Sequence, residues 1–338
     1  MQVVSPAGAL LRTVSGARFT GASIDVPDLD GDGIDDLVAV IDEPPPCPKG
    51  QECPPFGAQV ALRAIGTGTG ATLWTYPLPR ASLEAGRSNV QLATIGNVVA
   101  IGDPSARDSL GRLTGGITFV GLDASTPQTL RVTYAADEAA RLGATVSVGR
   151  GGFMGGAPGA NNGAGALELL EASGRRVQRI VGGPGVGLGS GPVRVVALAQ
   201  GDLLVAGNPG GSSGASVSVM RWNGTLVASY AAEGTDALGS AVSDAVGSGG
   251  ELLIGAPSAD LDAGAVYLLD LVNGTLTRSF TGFATDRLGA VVATVGDVTG
   301  DGIPEIAIGR PGRPRLDGGI GTTVLVRDTS GVFRGEPL

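Results

Sequence analysis

Three observations predict an all-β fold, a β-propeller of four-stranded antiparallel blades. An apolar pair followed by a short turn ending in proline recurs six times along the 338 residues. A second marker, an apolar residue followed by glycine and a small residue, precedes most of those turns. Helical periodicity is missing throughout, whereas short apolar runs bounded by glycine, proline and asparagine are frequent. Tandem units of about 50 residues, each holding four short strands, are the sequence signature of a propeller.

The turns read Val40-Ile41-Asp42-Glu43-Pro44, Ala100-Ile101-Gly102-Asp103-Pro104, Met154-Gly155-Gly156-Ala157-Pro158, Val205-Ala206-Gly207-Asn208-Pro209, Leu253-Ile254-Gly255-Ala256-Pro257 and Ala307-Ile308-Gly309-Arg310-Pro311. Successive prolines stand 60, 54, 51, 48 and 54 residues apart. The second marker reads Leu142-Gly143-Ala144, Leu188-Gly189-Ser190, Leu238-Gly239-Ser240 and Leu288-Gly289-Ala290, with Phe19-Thr20-Gly21 as a looser version. The second unit is degenerate and carries Arg87-Ser88 at that place.

The fifth unit shows the strands most clearly. Ala241-Val242 with Ala245-Val246 opens a first strand, 251–254 form a second, and 263–270 alternate in a third. Asn273-Gly274 then turns the chain into a fourth, Thr275 to Phe280. Asn-Gly between strands predicts a type I′ turn, in which both central residues need positive φ. Trp222-Asn223-Gly224-Thr225 repeats that signal one unit earlier.

The 27 residues after Pro311 and the 44 up to Pro44 supply one blade step with too little over for another. Six blades are therefore favoured, with seven the alternative. The reading is a single domain, 1–338. Residues 1–18 would form a ring-closing strand segment, since Ala9-Leu10-Leu11-Arg12-Thr13-Val14 resembles the outer strand Thr275-Leu276-Thr277-Arg278-Ser279-Phe280. Residues 44–56 are a Pro/Cys loop insertion.

Composition narrows the chemistry. Glycine supplies 59 residues of 338, more than twice the usual share of roughly 7%. The absence of histidine excludes Ser-His-Asp and Cys-His nucleophiles and any histidine-held zinc or haem. Lys49 is the only lysine, and no glycine-rich loop ends in the lysine of a phosphate-binding motif. A net charge of −9 argues against a nucleic-acid surface and suits a binder of cations. No apolar run is long enough for a membrane helix. Cys47 and Cys53, in a turn-rich loop, can close a small disulfide ring, which points to an oxidising compartment; a reduced pair is the alternative. No signal peptide is visible at Met1-Gln2-Val3-Val4-Ser5-Pro6.

The strongest chemical motif is Asp28-Leu29-Asp30-Gly31-Asp32-Gly33-Ile34-Asp35-Asp36. Carboxylates at its first, third, fifth and ninth positions can wrap one hard cation, and its glycines permit the tight path required. Calcium takes 6–8 oxygens at about 2.3–2.6 Å, a number this loop approaches with a carbonyl and water. An EF-hand would need glutamate at the twelfth position, where Ala39 stands. An acidic hairpin turn that binds nothing is the bland alternative. The sixth unit carries a weaker copy, Asp297-Val298-Thr299-Gly300-Asp301-Gly302-Ile303-Pro304-Glu305, whose lower charge implies lower affinity. One calcium ion is expected, with a second at this weaker copy.

The units resemble FG-GAP repeats, the family that builds the integrin α-subunit propeller and many bacterial extracellular proteins. Leu238-Gly239 stands at the "FG" element and Gly255-Ala256-Pro257 spells the "GAP" element. The resemblance implies calcium ligation by the side chains of Asp28, Asp30, Asp32 and Asp36 with the Ile34 carbonyl. In the weaker loop it points to Asp297, Thr299, Asp301, Ile303 and Glu305.

These readings lead to a non-catalytic, calcium-stabilised extracellular propeller that recognises a protein or glycan partner. The alternative is a structural subunit of a homo-polymeric or multi-protein assembly; a propeller hydrolase, lyase or lectin ranks lower. The outer strand of the fourth unit, Thr225 to Tyr230, carries no charge, so Trp222 and Leu226 are the candidate interface residues. Asn223 and Asn273 also begin Asn-Gly-Thr sequons, which the hairpin reading explains without glycosylation.

Overall fold

The computed structural model describes residues 2–4, 10–13, 18–42, 60–78, 90–122, 126–231, 237–244, 246, 250–297, 304–312, 323–327 and 333–334. Strands β1 (Gln2–Val4) and β2 (Leu10–Thr13) pair only with each other. The remaining strands form six four-stranded sheets in which neighbours in sequence are neighbours in space. The first holds β3 (Arg18–Val26), β4 (Asp36–Asp42), β5 (Val60–Ile65) and β6 (Thr72–Pro77). The second holds β7 (Gln91–Ile95), β8 (Val98–Asp103), β9 (Gly116–Gly121) and β10 (Gln128–Tyr134). The third holds β11 (Thr145–Gly149), β12 (Gly152–Ala157), β13 (Ala166–Glu171) and β14 (Arg176–Val181), with the short turn α1 (Ala160–Gly163) after β12. The fourth holds β15 (Val193–Val196), β16 (Leu203–Asn208), β17 (Ser216–Arg221) and β18 (Leu226–Ala231). The fifth holds β19 (Ala241–Val242), β20 (Glu251–Ala256), β21 (Ala265–Asp270) and β22 (Thr275–Thr281), with α2 (Ala259–Asp262) after β20. The sixth holds β23 (Val291–Gly296), β24 (Glu305–Arg310), β25 (Thr323–Arg327) and β26 (Phe333–Arg334).

The proline turns mark the ends of second strands. β8, β12, β16, β20 and β24 end at Asp103, Ala157, Asn208, Ala256 and Arg310, each immediately before its proline. Proline has no N–H to continue a ladder, so the strand stops there. Pro44, Arg87-Ser88 and the Cys47/Cys53 pair lie outside the described residues, but the second sheet forms despite its degenerate marker.

Two compact units divide the chain: Met1–Gly155 with Leu170–Val177, and Gly156–Leu169 with Gln178–Leu338. In the first unit, Val38, Val40, Leu62, Trp74, Val99 and Val120 share one buried cluster between the first and second sheets. In the second unit, Val205, Val217, Val219, Leu252, Ile254 and Leu269 do the same between the fourth and fifth sheets. Second strands such as β16 and β20 are buried along nearly their whole length, so their apolar residues run on continuously; outer strands such as β10 and β18 alternate or stand largely exposed.

The two sequence markers meet in space. Leu142, Leu188, Leu238 and Leu288 are all buried, and the glycine after each has φ between 86° and 88°. That glycine lies against the next-to-last residue, also glycine, of the second strand of the preceding sheet: Gly143 on Gly102, Gly189 on Gly156, Gly239 on Gly207 and Gly289 on Gly255. A methyl group on Gly207 would stand 2.0 Å from the carbonyl oxygen of Gly239, which no ordinary contact allows. The Gly239 N–H in turn donates to the Gly255 carbonyl of its own sheet at 3.0 Å, and Gly289 repeats this with Gly309 at 3.0 Å. At these four junctions backbone therefore packs directly on backbone.

Four sequence expectations change. Leu10–Thr13 does not complete the sixth sheet, because β25 and β26 supply its third and fourth strands from the C-terminal chain. The first strand of the fifth sheet stops at Val242, with Val246 making only a lone bridge to Glu251. Short helical turns do occur, at α1 and α2, but each contains left-handed residues (Asn161 and Asn162, Asp260 and Leu261), so neither continues. The Asn-Gly hairpins are not type I′, because positive φ is confined to Gly224 and Gly274. Gly224 N–H donates to Arg221 O at 2.9 Å and Arg221 N–H to Thr225 O at 2.8 Å, closing a three-residue loop with a left-handed glycine. Asn223 Oδ1 accepts the Thr225 N–H at 3.0 Å, so the asparagine serves the turn through its side chain.

Among the described residues no helix is long and apolar enough to cross a membrane. Gly239→Ala should cost about 1–2 kcal/mol for the left-handed backbone alone, and more once its methyl meets Gly207. Gly151→Ala is the control, with φ 73 and open space around it. Urea unfolding should show a larger loss of midpoint at Gly239 than at Gly151, with unchanged slope.

Candidate metal centre

The acidic loop joins β3 to β4, and hydrogen bonds to its own backbone set its path. Asp28 accepts the N–H groups of Gly31 at 2.6 Å and Gly33 at 2.8 Å, one on each oxygen. Asp30 accepts from Asp32 N at 3.2 Å, and Asp32 from Ile34 N at 2.9 Å. Gly31 and Gly33 take φ of 80 and 85, where a side chain would be strained. Asp36, at the start of β4, is buried; its oxygens accept Leu29 N at 2.8 Å and Thr67 N at 3.0 Å.

One oxygen from each of Asp28, Asp30 and Asp36 lies within 4.8 Å of the others. Asp32 stands outside this trio, its Oδ2 lying over Gly68, where a methyl group would come within 2.0 Å. Ile34 is half exposed on the loop. Electrostatics differ across the cluster. The Gly33 N–H holds the Asp28 carboxyl below the usual carboxylate range. Loss of surrounding water pushes Asp30 above it, and the charges of Asp32, Asp36 and Asp28 add to that rise. Like charges are thus gathered with oxygen-only donors, a set that suits a hard divalent cation and no soft metal.

The turn between β5 and β6 forms the neighbouring wall, a feature that motif reading missed. A methyl group on Gly66 would stand 2.6 Å from Asp30 Oδ2. The signal was present in the sequence as the alternating run Gly66-Thr67-Gly68-Thr69-Gly70, which keeps side chains away from the carboxylates.

Of the weaker loop, Thr299, Asp301 and Ile303 lie outside the described residues. Asp297 is exposed, and Glu305 is buried at the first position of β24, the place Asp36 holds in β4. Trp222 is half-buried, and its carbonyl accepts from Gln178 Nε2 at 3.3 Å; Leu226 is exposed at the start of β18. Sequence reading also missed the buried pair of Arg310 and Asp286, 3.4 Å apart, in which arginine replaces the alanine of the proline turn. No family model matches this chain, and no curated protein is similar to it in sequence.

Asp36 and Asp30 should separate by role. Asp36→Ala leaves two backbone N–H groups without their acceptor, at about 1–3 kcal/mol each if they stay dry, so it should lower the melting temperature even in chelator. Asp30→Ala should lower it only when calcium is present. Paired melting curves with calcium and with chelator check both.

Proposed function

We propose that this chain is a non-catalytic, calcium-stabilised β-propeller of FG-GAP type, with six blades, that serves recognition or adhesion outside the cell. The observation that carries the metal part is the trio Asp28, Asp30 and Asp36, converging in a loop already ordered by its own hydrogen bonds. Such a loop loses little freedom on binding, so the free energy of cation capture goes largely into holding the first sheet together. Six consecutive four-stranded antiparallel meanders, the last five joined through paired glycines, support the propeller reading. The ligands are Asp28, Asp30, Asp32 and Asp36 with the Ile34 carbonyl, and the ion is structural. The loop connecting Asp297 to Glu305 is the second, weaker site. Partner contact falls to the loops at the sheet ends, where a protein or glycan is the occupant class.

A structural subunit of an extracellular assembly is the second reading, favoured by one observation. Leu226 and Val227, side by side at the start of the outer strand β18, are both at least half exposed. An outer strand without charge on that stretch is open to pairing with another chain.

Calcium should stabilise the native chain by about 2.7 kcal/mol when free ion exceeds the dissociation constant about a hundredfold. Chelation should therefore lower the melting temperature, and Asp30→Ala with Asp32→Ala should remove most of that response. Unchanged melting in protein verified to be metal-free would discard the calcium reading. Sedimentation velocity across protein concentration then separates the two roles: a monomer throughout fits a recognition module, and growth that Leu226→Lys reverses fits a subunit.

A further inference from the structure

Three Asn-Gly steps occur in the chain, at Asn162-Gly163, Asn223-Gly224 and Asn273-Gly274, and their backbones differ in a chemically decisive way. We propose that Asn273 is a site of spontaneous modification, converting to aspartate and isoaspartate by attack of the Gly274 backbone nitrogen.

The reaction needs that nitrogen to be accessible. Glycine favours it because no side chain crowds the nucleophile, and asparagine is among the thermolabile residues for this reason. The Gly224 nitrogen is engaged with Arg221 O at 2.9 Å, and the Gly163 nitrogen more loosely with Gly159 O at 3.4 Å. The Gly274 nitrogen donates no hydrogen bond among the described residues, and both Asn273 and Gly274 are exposed. In the step itself, the Gly274 nitrogen gives its proton to solvent and bonds to Asn273 Cγ. The Cγ–Nδ2 bond breaks and the nitrogen leaves as ammonia, forming a cyclic imide. Water then opens either imide carbonyl, yielding aspartate or, with one more methylene in the main chain, isoaspartate.

The surroundings give the conversion a structural consequence. Asn273 Nδ2 donates to Asp270 Oδ2, while Asp270 Oδ1 accepts Val272 N at 2.8 Å and Asn273 N at 3.0 Å. Modification removes the Nδ2 donor and sets a second carboxylate against Asp270. The tip it loosens is the one that meets the neighbouring sheet, where a methyl on Gly274 would lie 3.8 Å from the Tyr230 hydroxyl.

The test is peptide mass mapping of the folded protein after incubation in mildly alkaline buffer, with the denatured chain as reference. In denaturant the three sites should convert at similar rates. In the folded protein Asn273 should convert several-fold faster than Asn162, with Asn223 slowest. Asn273→Asp, which imitates one product, should melt below wild type, whereas Asn273→Gln should block the conversion. Faster conversion at Asn162 or Asn223, or an intact Asn273 when the denatured chain has converted, would overturn the proposal.

Discussion

Direct packing of backbone on backbone at paired glycines is the constraint from which the rest of this structure follows. Each pair joins the end of one sheet's second strand to the start of the next sheet. Gly239 is the clearest case, touching Gly207 of the fourth sheet while donating to Gly255 of the fifth. Since no side chain fits at such contacts, the repeat must place glycine there, and eight of the chain's glycines are fixed by this packing. The buried leucine before each of these glycines supplies the hydrophobic anchor that the glycine itself lacks. Two markers that look independent in the sequence are thus two halves of one joint.

The same economy of space shapes the acidic loop. Asp30 and Asp32 lie over Gly66 and Gly68, and Asp36 reaches across to the Thr67 N–H. The loop is therefore held on two sides, by its own amides and by the β5–β6 turn. Its carboxylates nonetheless lack a counter-charge among themselves, and partial loss of water with the charges of Asp32, Asp36 and Asp28 raises Asp30. Oxygen donors gathered without charge balance are a set that could hold a hard cation.

Much of this was legible from spacing alone. The proline turns locate five described second strands, although each strand runs through the two turn residues before its proline, as β20 does to Ala256, and the acidic loop falls between β3 and β4. What misled was chemistry with two solutions. Asn-Gly fits a type I′ turn as readily as a three-residue loop, and the choice depended on the Asn223 side chain capturing Thr225 N–H. The Ala9–Val14 stretch has the pattern of an outer strand, but pattern alone does not name its partner, and β1 and the C-terminal strands settled that competition. Asp32 shows a third limit: spacing names residues that can converge, but it does not show that Asp32 Oδ2 lies over Gly68 while Asp28, Asp30 and Asp36 form the trio.

Among the described residues, three hairpin tips reach the sheet before them. Gly174, Gly224 and Gly274, spaced by 50 residues, sit at three successive hairpin tips. Each lies against the preceding sheet: Gly174 on Phe119, Gly224 on Ile180 and Gly274 near Tyr230. Polar contacts accompany the packing, with Thr133 Oγ1 donating to Gly174 O at 2.7 Å and Gln178 Nε2 to Trp222 O at 3.3 Å. Left-handed geometry at the tip and close approach to a neighbour are met by the same glycine. The tips therefore cover part of each edge that would otherwise invite pairing. On β18 the cover reaches Tyr230 near the far end, while Leu226 and Val227 at the near end stay exposed. Any assembly through that strand must use its first residues, which is why Leu226 is the position at which a charge should matter most.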